Sequence, residues 1–539
     1  MFERLRRSGR LNSLWAMLLA GGVAVGVLVV LLRLGGPGHE TGTRKLSLHC
    51  AAGLRVPMEE IAQRYEREYG IKISLQYGGS NSLLNQIEVN KFDTADLFLA
   101  ADTSYAAQAR TKGLAAECLP VAYQRPVIAV RQGNPKKIAT LVDLFAEDVS
   151  VALADPTQAA VGKVTRKTLE KITVGDTNRW LQLEQHVTAR GVFKPTVNDV
   201  AADVKLGSVD AGIVWDATAS MPGFREQLQV VEVPELETDP DPVTLCVLNS
   251  SRQPTAALKF ARYLTAGDRG LPVFQEYGLT PIDGDLWEER PEVNFFCGSV
   301  NRRAVEQIIA DFQQREDVVV NTIYDGCGIL TGRMKTITGQ DPGHGFPDLY
   351  MACDVYYLDN VKEWFQEAAN VSETDIVIAV PKGSTKVQTL ADLVKPGIRV
   401  AVGEPDQCTI GALTRRLLAK EGLYEQLKQK QQQPNEVVVE KSSSALLVPD
   451  VVTGHVDAAV AYITDVKANL ATLDVVRIDS TLNLAVQPIS IAKTSHHKYL
   501  LRRLCEKVAN SPQAFENAGF RFRLKKNSEE DQTGAPPRY

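Results

Sequence analysis

The chain repeats itself. Val151 to Lys171, VALADPTQAAVGKVTRKTLEK, and Val400 to Lys420, VAVGEPDQCTIGALTRRLLAK, share one layout. Each has a short apolar run that reads as a strand, then an acidic residue and a proline (Asp155-Pro156, Glu404-Pro405), then an amphipathic helix. The register holds beyond these stretches: Cys50 recurs as Cys297, Pro156 as Pro405 and Asp210 as Asp457, at offsets of 247, 249 and 247 residues. Between Asp96 and Asp348 the offset widens to 252, which puts a small extra loop around Gly339 to Gly345 in the second copy. Self-similarity over this length predicts two homologous domains in tandem, each long enough for its own core.

A strand that enters a helix through a tight turn leaves free backbone N–H groups and the positive end of the helix dipole at the carboxyl edge of a sheet, where an anion is favoured. An ordinary strand-to-helix connection has the same pattern. Recurrence in two equivalent settings favours the anion site.

Composition excludes other classes. With 44% hydrophobic and 23% charged residues, the 539-residue chain is ordinary globular protein. A net charge of −5 argues against a nucleic-acid partner. The eight cysteines are too scattered for paired CxxC zinc sites or a dense disulfide framework, and the seven histidines form no HExxH. No GxSxG, Walker loop or kinase set occurs, and no cofactor is expected. At the N-terminus, Arg4, Arg6, Arg7 and Arg10 precede an uncharged apolar run from Leu11 to Leu32, long enough to span a bilayer. The basic flank, residues 1–10, is expected to stay cytoplasmic, with residues 11–33 as a single-pass anchor and 34–44 as a tether. A cleaved signal peptide is the rival reading, but no small-x-small cleavage site follows the run.

Alternating strands and helices predict an α/β fold with a parallel sheet and ligands at the strands' carboxyl ends. In the first copy, Lys45 to Cys50, Ile71 to Tyr77 and Ala95 to Ala100 read as strands. Val56 to Tyr69 reads as a helix, and Gly78 to Ser82 as a polar turn before a helix from Leu83 to Val89. Pro126 to Val130 leaves this lobe for a second one, which ends with Val209 to Trp215, and Val243 to Leu248 returns. Two crossings make a hinge, with a cleft between the lobes. The second copy repeats the order, with its turn at Asp325 to Gly328, its crossing at Ile376 to Val380 and its return at Pro488 to Ala492. The domains are therefore expected at 45–284 and 293–526, joined by a linker at 285–292. The polar tail at 527–539 cannot bury enough apolar surface to fold.

Five segments carry a resemblance: Cys50-Ala51-Ala52-Gly53-Leu54, Tyr77-Gly78-Gly79-Ser80, Ala95 to Asp102, Asp155-Pro156 with Gly162, and Asp210 to Trp215. In this order and spacing they resemble the molybdate- and tungstate-binding proteins of ABC importers, which are type II periplasmic binding proteins. The resemblance implies two such domains, each with two lobes, a hinge and a central cleft. It also implies that a tetrahedral oxyanion is held by neutral donors: serine hydroxyls, backbone N–H groups at helix starts and a tyrosine of the far lobe. Carried over by position, the first copy supplies Gly53, Ser80 with its neighbour Asn81, Ala159, Val200 and Trp215. Gly53 stands where a serine is usual, and Trp215 replaces the tyrosine. The second copy supplies Ser299 or Val300, Cys327, Cys408, Leu447 and Tyr462.

Cys297, Cys327 and Cys353 are expected at strand ends on one sheet edge, facing Cys408 of the other lobe. Three readings stay open: small buried inert thiols, a disulfide between two of them, or a metal or thiol-reactive site to which His344 adds a ligand. Asp102 and Asp354 read as helix caps. The glutamine-rich run Gln426 to Gln433 reads as an exposed helix end, and Arg415-Arg416 and Arg502-Arg503 as helix-surface charges. The function expected from all this is a membrane-anchored, extracytoplasmic receptor that captures an oxyanion for an ABC permease. A sensor or scaffold acting through a membrane partner is the alternative. Catalysis is not expected, because no base is placed beside a nucleophile.

Overall fold

A computed structural model describes residues 45–90, 95–237, 242–338 and 345–524. The expected anchor, tether and tail, and His344, lie outside the described residues. Among those residues, no helix is long and apolar enough to cross a membrane.

Each copy folds as two lobes. In the first, strands Lys45–Ala51, Lys72–Gly78 and Leu97–Ala100 lie parallel, with Lys45–Ala51 in the middle. Leu97 to Ala100 are all buried, as expected for a strand covered by helices on both faces. The helix Arg55–Tyr69 turns Met58, Ile61, Ala62 and Tyr65 to the core and ends at Gly70, whose left-handed φ of +67° no β-carbon opposes. The second lobe is a five-stranded sheet built on Pro126–Arg131, Ala211–Trp215 and Val151–Ala154.

The sheets are mixed rather than parallel. The return strand Val243–Leu248 runs antiparallel to Leu97–Ala100 and to Ala115–Tyr123, because a chain coming back from the other lobe enters from the opposite end. Ala115–Tyr123 contains Glu117 and Pro120 and carries no alternating pattern. A register shift between Val243 and Thr244, beside Pro120, accommodates the missing N–H. Cys118 and Cys246 face each other across this pair and form a disulfide that sequence spacing did not announce. The expected polar turns also differ, since helices begin at once, at Ser80 and at Cys327.

In the second copy one strand, Phe365–Pro381, is 17 residues long and serves both lobes. Its first part pairs with the return strand Leu484–Ala492, and its last part with Ala458–Tyr462 and Leu473–Arg477. The same path in the first copy is broken at Gln124 and Arg125, between Ala115–Tyr123 and Pro126–Arg131.

The two copies are locked together. Glu316 is 1% exposed and accepts from Arg503 Nε at 2.7 Å and Nη2 at 3.1 Å, and from Arg262 Nη1 of the first copy at 3.1 Å. Arg315 makes a bidentate pair with Glu117 at 2.9 Å for each bond, and Arg110 pairs with Glu506. The linker is docked as well: the Asp285 carboxylate accepts from the N–H groups of Tyr499 and Leu500 at 2.9 Å, capping the helix Lys498–Ala509. Arg503 is thus buried interface, not surface charge, while Arg502 is half-buried against Glu367. In the glutamine-rich helix Tyr424–Gln431, Lys430 is likewise buried, donating to the carbonyls of Leu393, Lys395 and Ile398 at 3.0, 2.6 and 2.6 Å.

Candidate functional site

Between the lobes of the first copy lies a small cavity walled by Gly53, Gly79, Ser80, Ala159, Val197 and Trp215, among others, with no charged side chain. Its volume is about 20 Å3, room for a ligand of only a few atoms.

Local sequence explains the wall. Helices Ser80–Val89 and Ala160–Leu169 both aim their N-termini here, and neither has a side-chain cap, since Gly79 and Ala159 occupy the capping positions. Apart from the N–H of Asn81, which reaches Gln158 O at 3.1 Å, their first N–H groups are left for another partner. Asp155 holds the turn before the second helix by accepting from the N–H and hydroxyl of Thr157, both at 2.7 Å, and from Gln158 at 2.8 Å. Ser80 Oγ accepts from the N–H of Ala101 at 3.2 Å, which leaves its proton free to point elsewhere. The Thr218 hydroxyl is fully buried without a partner, 3.5 Å from where a β-carbon on Gly53 would lie. Its orphaned state is the signal that marks it, and the sequence pattern contained none.

The lobes are closed on each other. Asn81 N donates to Gln158 O at 3.1 Å, Asn81 Nδ2 to Thr157 O at 2.6 Å, Asn198 to Ala52 O at 2.8 Å, and Lys163 to Ser104 at 2.8 Å. Gly53, Ser80, Ala159 and Trp215 thus come together on the cavity wall. Asn81 is a latch across the cleft, and Val200 lies behind the wall, buried in the helix Val197–Leu206. Thr196, Val197, Ala101 and Val161 complete the wall and were not foreseen. Asp102 caps its helix through Ser104 N at 2.8 Å, as Asp354 does through Tyr356 N at 3.0 Å.

The second cleft is built on the same frame with other atoms. Ser299 meets Ser443 of the far lobe, oxygen to oxygen, at 2.9 Å, and the N–H of Ile329 reaches Gln407 O at 3.2 Å. Val300, rather than Ser299, takes the place of Gly53, each being the middle residue of a short 3-10 turn. Cys327 and Cys353 stand side by side, with sulfurs 3.1 Å apart, and the N–H of Cys353 donates to Cys327 Sγ at 3.2 Å. Burial pushes the Cys327 thiol up, but hydrogen bonding from Cys353, with the nearby Thr409 and Tyr350 hydroxyls, outweighs it and holds the thiol below the usual cysteine range. Those two hydroxyls face Cys327 without a hydrogen bond of ordinary geometry. Cys408 sits at the start of the helix Thr409–Lys420, and burial pushes it up to about 12. Leu447 and Tyr462 are fully buried, and the Tyr462 hydroxyl has no partner. Cys297 points into the core beneath. All four thiols are buried and none is in a disulfide, and among the described residues no group of three or more His, Cys, Asp and Glu surrounds a metal position.

Comparison with known proteins gives this architecture a context. The sequence matches the family described as bacterial extracellular solute-binding protein twice, over residues 46–280 and 293–521. It is similar to the molybdate-binding protein ModA of Mycobacterium tuberculosis, 28% identical over 253 residues, which cover 47% of this chain and 90% of the relative. Among solved structures, it is similar to the periplasmic molybdate-binding protein of Azotobacter vinelandii (18% identity, 44% of this chain and 98% of that one, TM-score 0.36). It is also similar to the periplasmic binding protein AfuA of Actinobacillus pleuropneumoniae (17% identity, 46% and 88%, TM-score 0.41). With both copies matched and nearly every described residue inside the matches, the chain belongs to the bacterial extracellular solute-binding protein family and carries its domain twice in tandem.

Proposed function

We propose that the first copy captures a tetrahedral oxyanion of the molybdate or tungstate kind and presents it, lobes closed, to an ABC-type permease. One observation carries this reading: a small cavity between the lobes whose wall offers helix N-termini without side-chain caps and hydroxyls but no charged side chain. A dehydrated dianion is stabilised there by fixed dipoles, and no full counter-charge has to be broken on release. The molybdate-binding relative supports the choice of ligand. In this reading the apolar run from Leu11 to Leu32 tethers the receptor to the membrane beside its permease.

The test is calorimetric titration of the full-length chain with molybdate, tungstate, sulfate and phosphate. Tight binding of the larger anions is expected, weakened roughly tenfold in Ser80→Ala through loss of one hydrogen bond to a charged group. Absence of binding by all four anions would sink the reading.

A further inference from the structure

Where the first cavity shows Ser80, Ala101 and Ala159, the second copy has Cys327, Cys353 and Cys408. Two glycines accompany the change. Gly298 replaces Ala51, and a β-carbon there would lie 2.2 Å from Cys353 Sγ and 2.8 Å from Cys327 Sγ. Gly403 replaces Ala154, and its β-carbon would lie 2.7 Å from Cys408 Sγ. At Gly298 the backbone is cleared for the two sulfurs, whereas Gly403 is also required by the N–H of Gly411, 2.5 Å from the same point. Around the sulfurs, the hydroxyls of Tyr350, Thr409 and Tyr462 are buried without a hydrogen bond of ordinary geometry, a costly state for native groups unless a further partner belongs there.

We propose that the second cleft takes one soft monovalent metal ion, of the copper(I) or silver(I) class, bridging the sulfurs of Cys327 and Cys353, which part from 3.1 Å to about 4.5 Å to admit it. Soft ions select thiolates, whereas zinc asks for three or four ligands and finds no such set among the described residues. The ion enters as M(I), two S–H bonds break, two metal–sulfur bonds form and two protons leave, with no change of oxidation state. The product carries one net negative charge. The cleft suits such a charge: it keeps at Thr409 the counterpart of the helix N-terminus proposed above to hold an anion in the first copy, and the Thr409 and Tyr350 hydroxyls beside Cys327 can donate to thiolate sulfur. The same frame thus serves two chemistries, an anion in one copy and an anionic metal complex in the other.

The full-length chain is titrated anaerobically with copper(I) against a chromogenic chelator, and the copper environment is read by X-ray absorption. One tightly held equivalent with two sulfur neighbours is expected. Cys327→Ser and Cys353→Ala, which restore the residues found in the first copy, are expected to weaken it at least a hundredfold, while the molybdate titration of the first cleft stays unchanged. Three results would overturn the proposal: a stoichiometric Cys327–Cys353 disulfide in peptides mapped without reductant, copper held by oxygen or nitrogen alone, or equal retention by both variants. The absorption measurement needs no variant, so a substitution that misfolds leaves the proposal testable.

Discussion

At the scale of single residues, two positions govern whether a cleft can close. A β-carbon on Gly79 would lie 2.4 Å from Gln158 O of the opposite lobe, and one on Gly326 would lie 2.5 Å from Gln407 O. Gly79→Ala should therefore hold the first cleft ajar with both lobes folded. Molybdate affinity is expected to fall by about tenfold or more, while the far-ultraviolet circular dichroism stays unchanged; an unaltered affinity would show that these backbones need not touch. Asp465 occupies the place of Thr218, and burial raises its carboxyl to about 6, although Ser444 and Arg303 pull the other way. A carboxyl raised in the folded state costs nothing below its unfolded pKa and its full penalty above the folded one, so stability is lost as pH climbs from about 4 through 6. Asp465→Asn should raise the melting midpoint at pH 7.5, by an equivalent of up to about 3 kcal/mol, and leave it nearly unchanged at pH 4. A gain of equal size at both pH values would refute this assignment.

At the scale of elements, the disulfide joins the strand before the crossing to the strand after it, across a separation of 128 residues. Closing so long a loop stabilises the fold by about 5 kcal/mol in the chain-entropy account. Cys118→Ala with Cys246→Ala should lower the melting midpoint of the chain by several degrees, by differential scanning calorimetry, and an unchanged midpoint would show that the bridge constrains little. Elements of this kind mark how far the sequence could be read. Strands such as Leu97–Ala100 and helices such as Arg55–Tyr69 announce themselves by period and by a closing glycine, and the duplication supplied the domain count. The direction of Val243–Leu248, the strand Ala115–Tyr123 and the partner of Cys118 did not, because pairings between distant segments leave no mark in either one. The cleft was legible in the same uneven way. Ser80 and Trp215 stand at strand ends, where position alone points to the cavity, whereas Val200 and Asn81 could be separated from true wall residues only by knowing how the helices rotate and how the lobes close.

At the scale of the whole molecule, the bonds that join the copies hold together the lobes nearest the chain termini. Glu316 is their centre: it is buried between Arg262 and Arg503, and burial opposes its charge less than the two guanidinium groups favour it. Glu316→Gln leaves two buried cations facing an uncharged amide, which is expected to cost about 3–5 kcal/mol. Calorimetry should then resolve two separate transitions, and retention of one cooperative transition would mean the interface is held elsewhere. The hydrogen bonds and ion pairs described across that interface involve Arg110, Glu117, Arg262 and Asp285 on one side and Arg315, Glu316, Tyr499, Leu500 and Glu506 on the other, with Arg503 bracing Glu316 from within the second copy, none of them from a far lobe. Two jaws are thus mounted on one bench. Were each to shut without instruction from its neighbour, a docking partner would be offered four distinguishable silhouettes: both open, either shut, or both shut. A receptor with one cleft reports a single yes or no, whereas this one has the geometry of a two-input gate, and spin labels on the two far lobes would show whether the inputs are read separately.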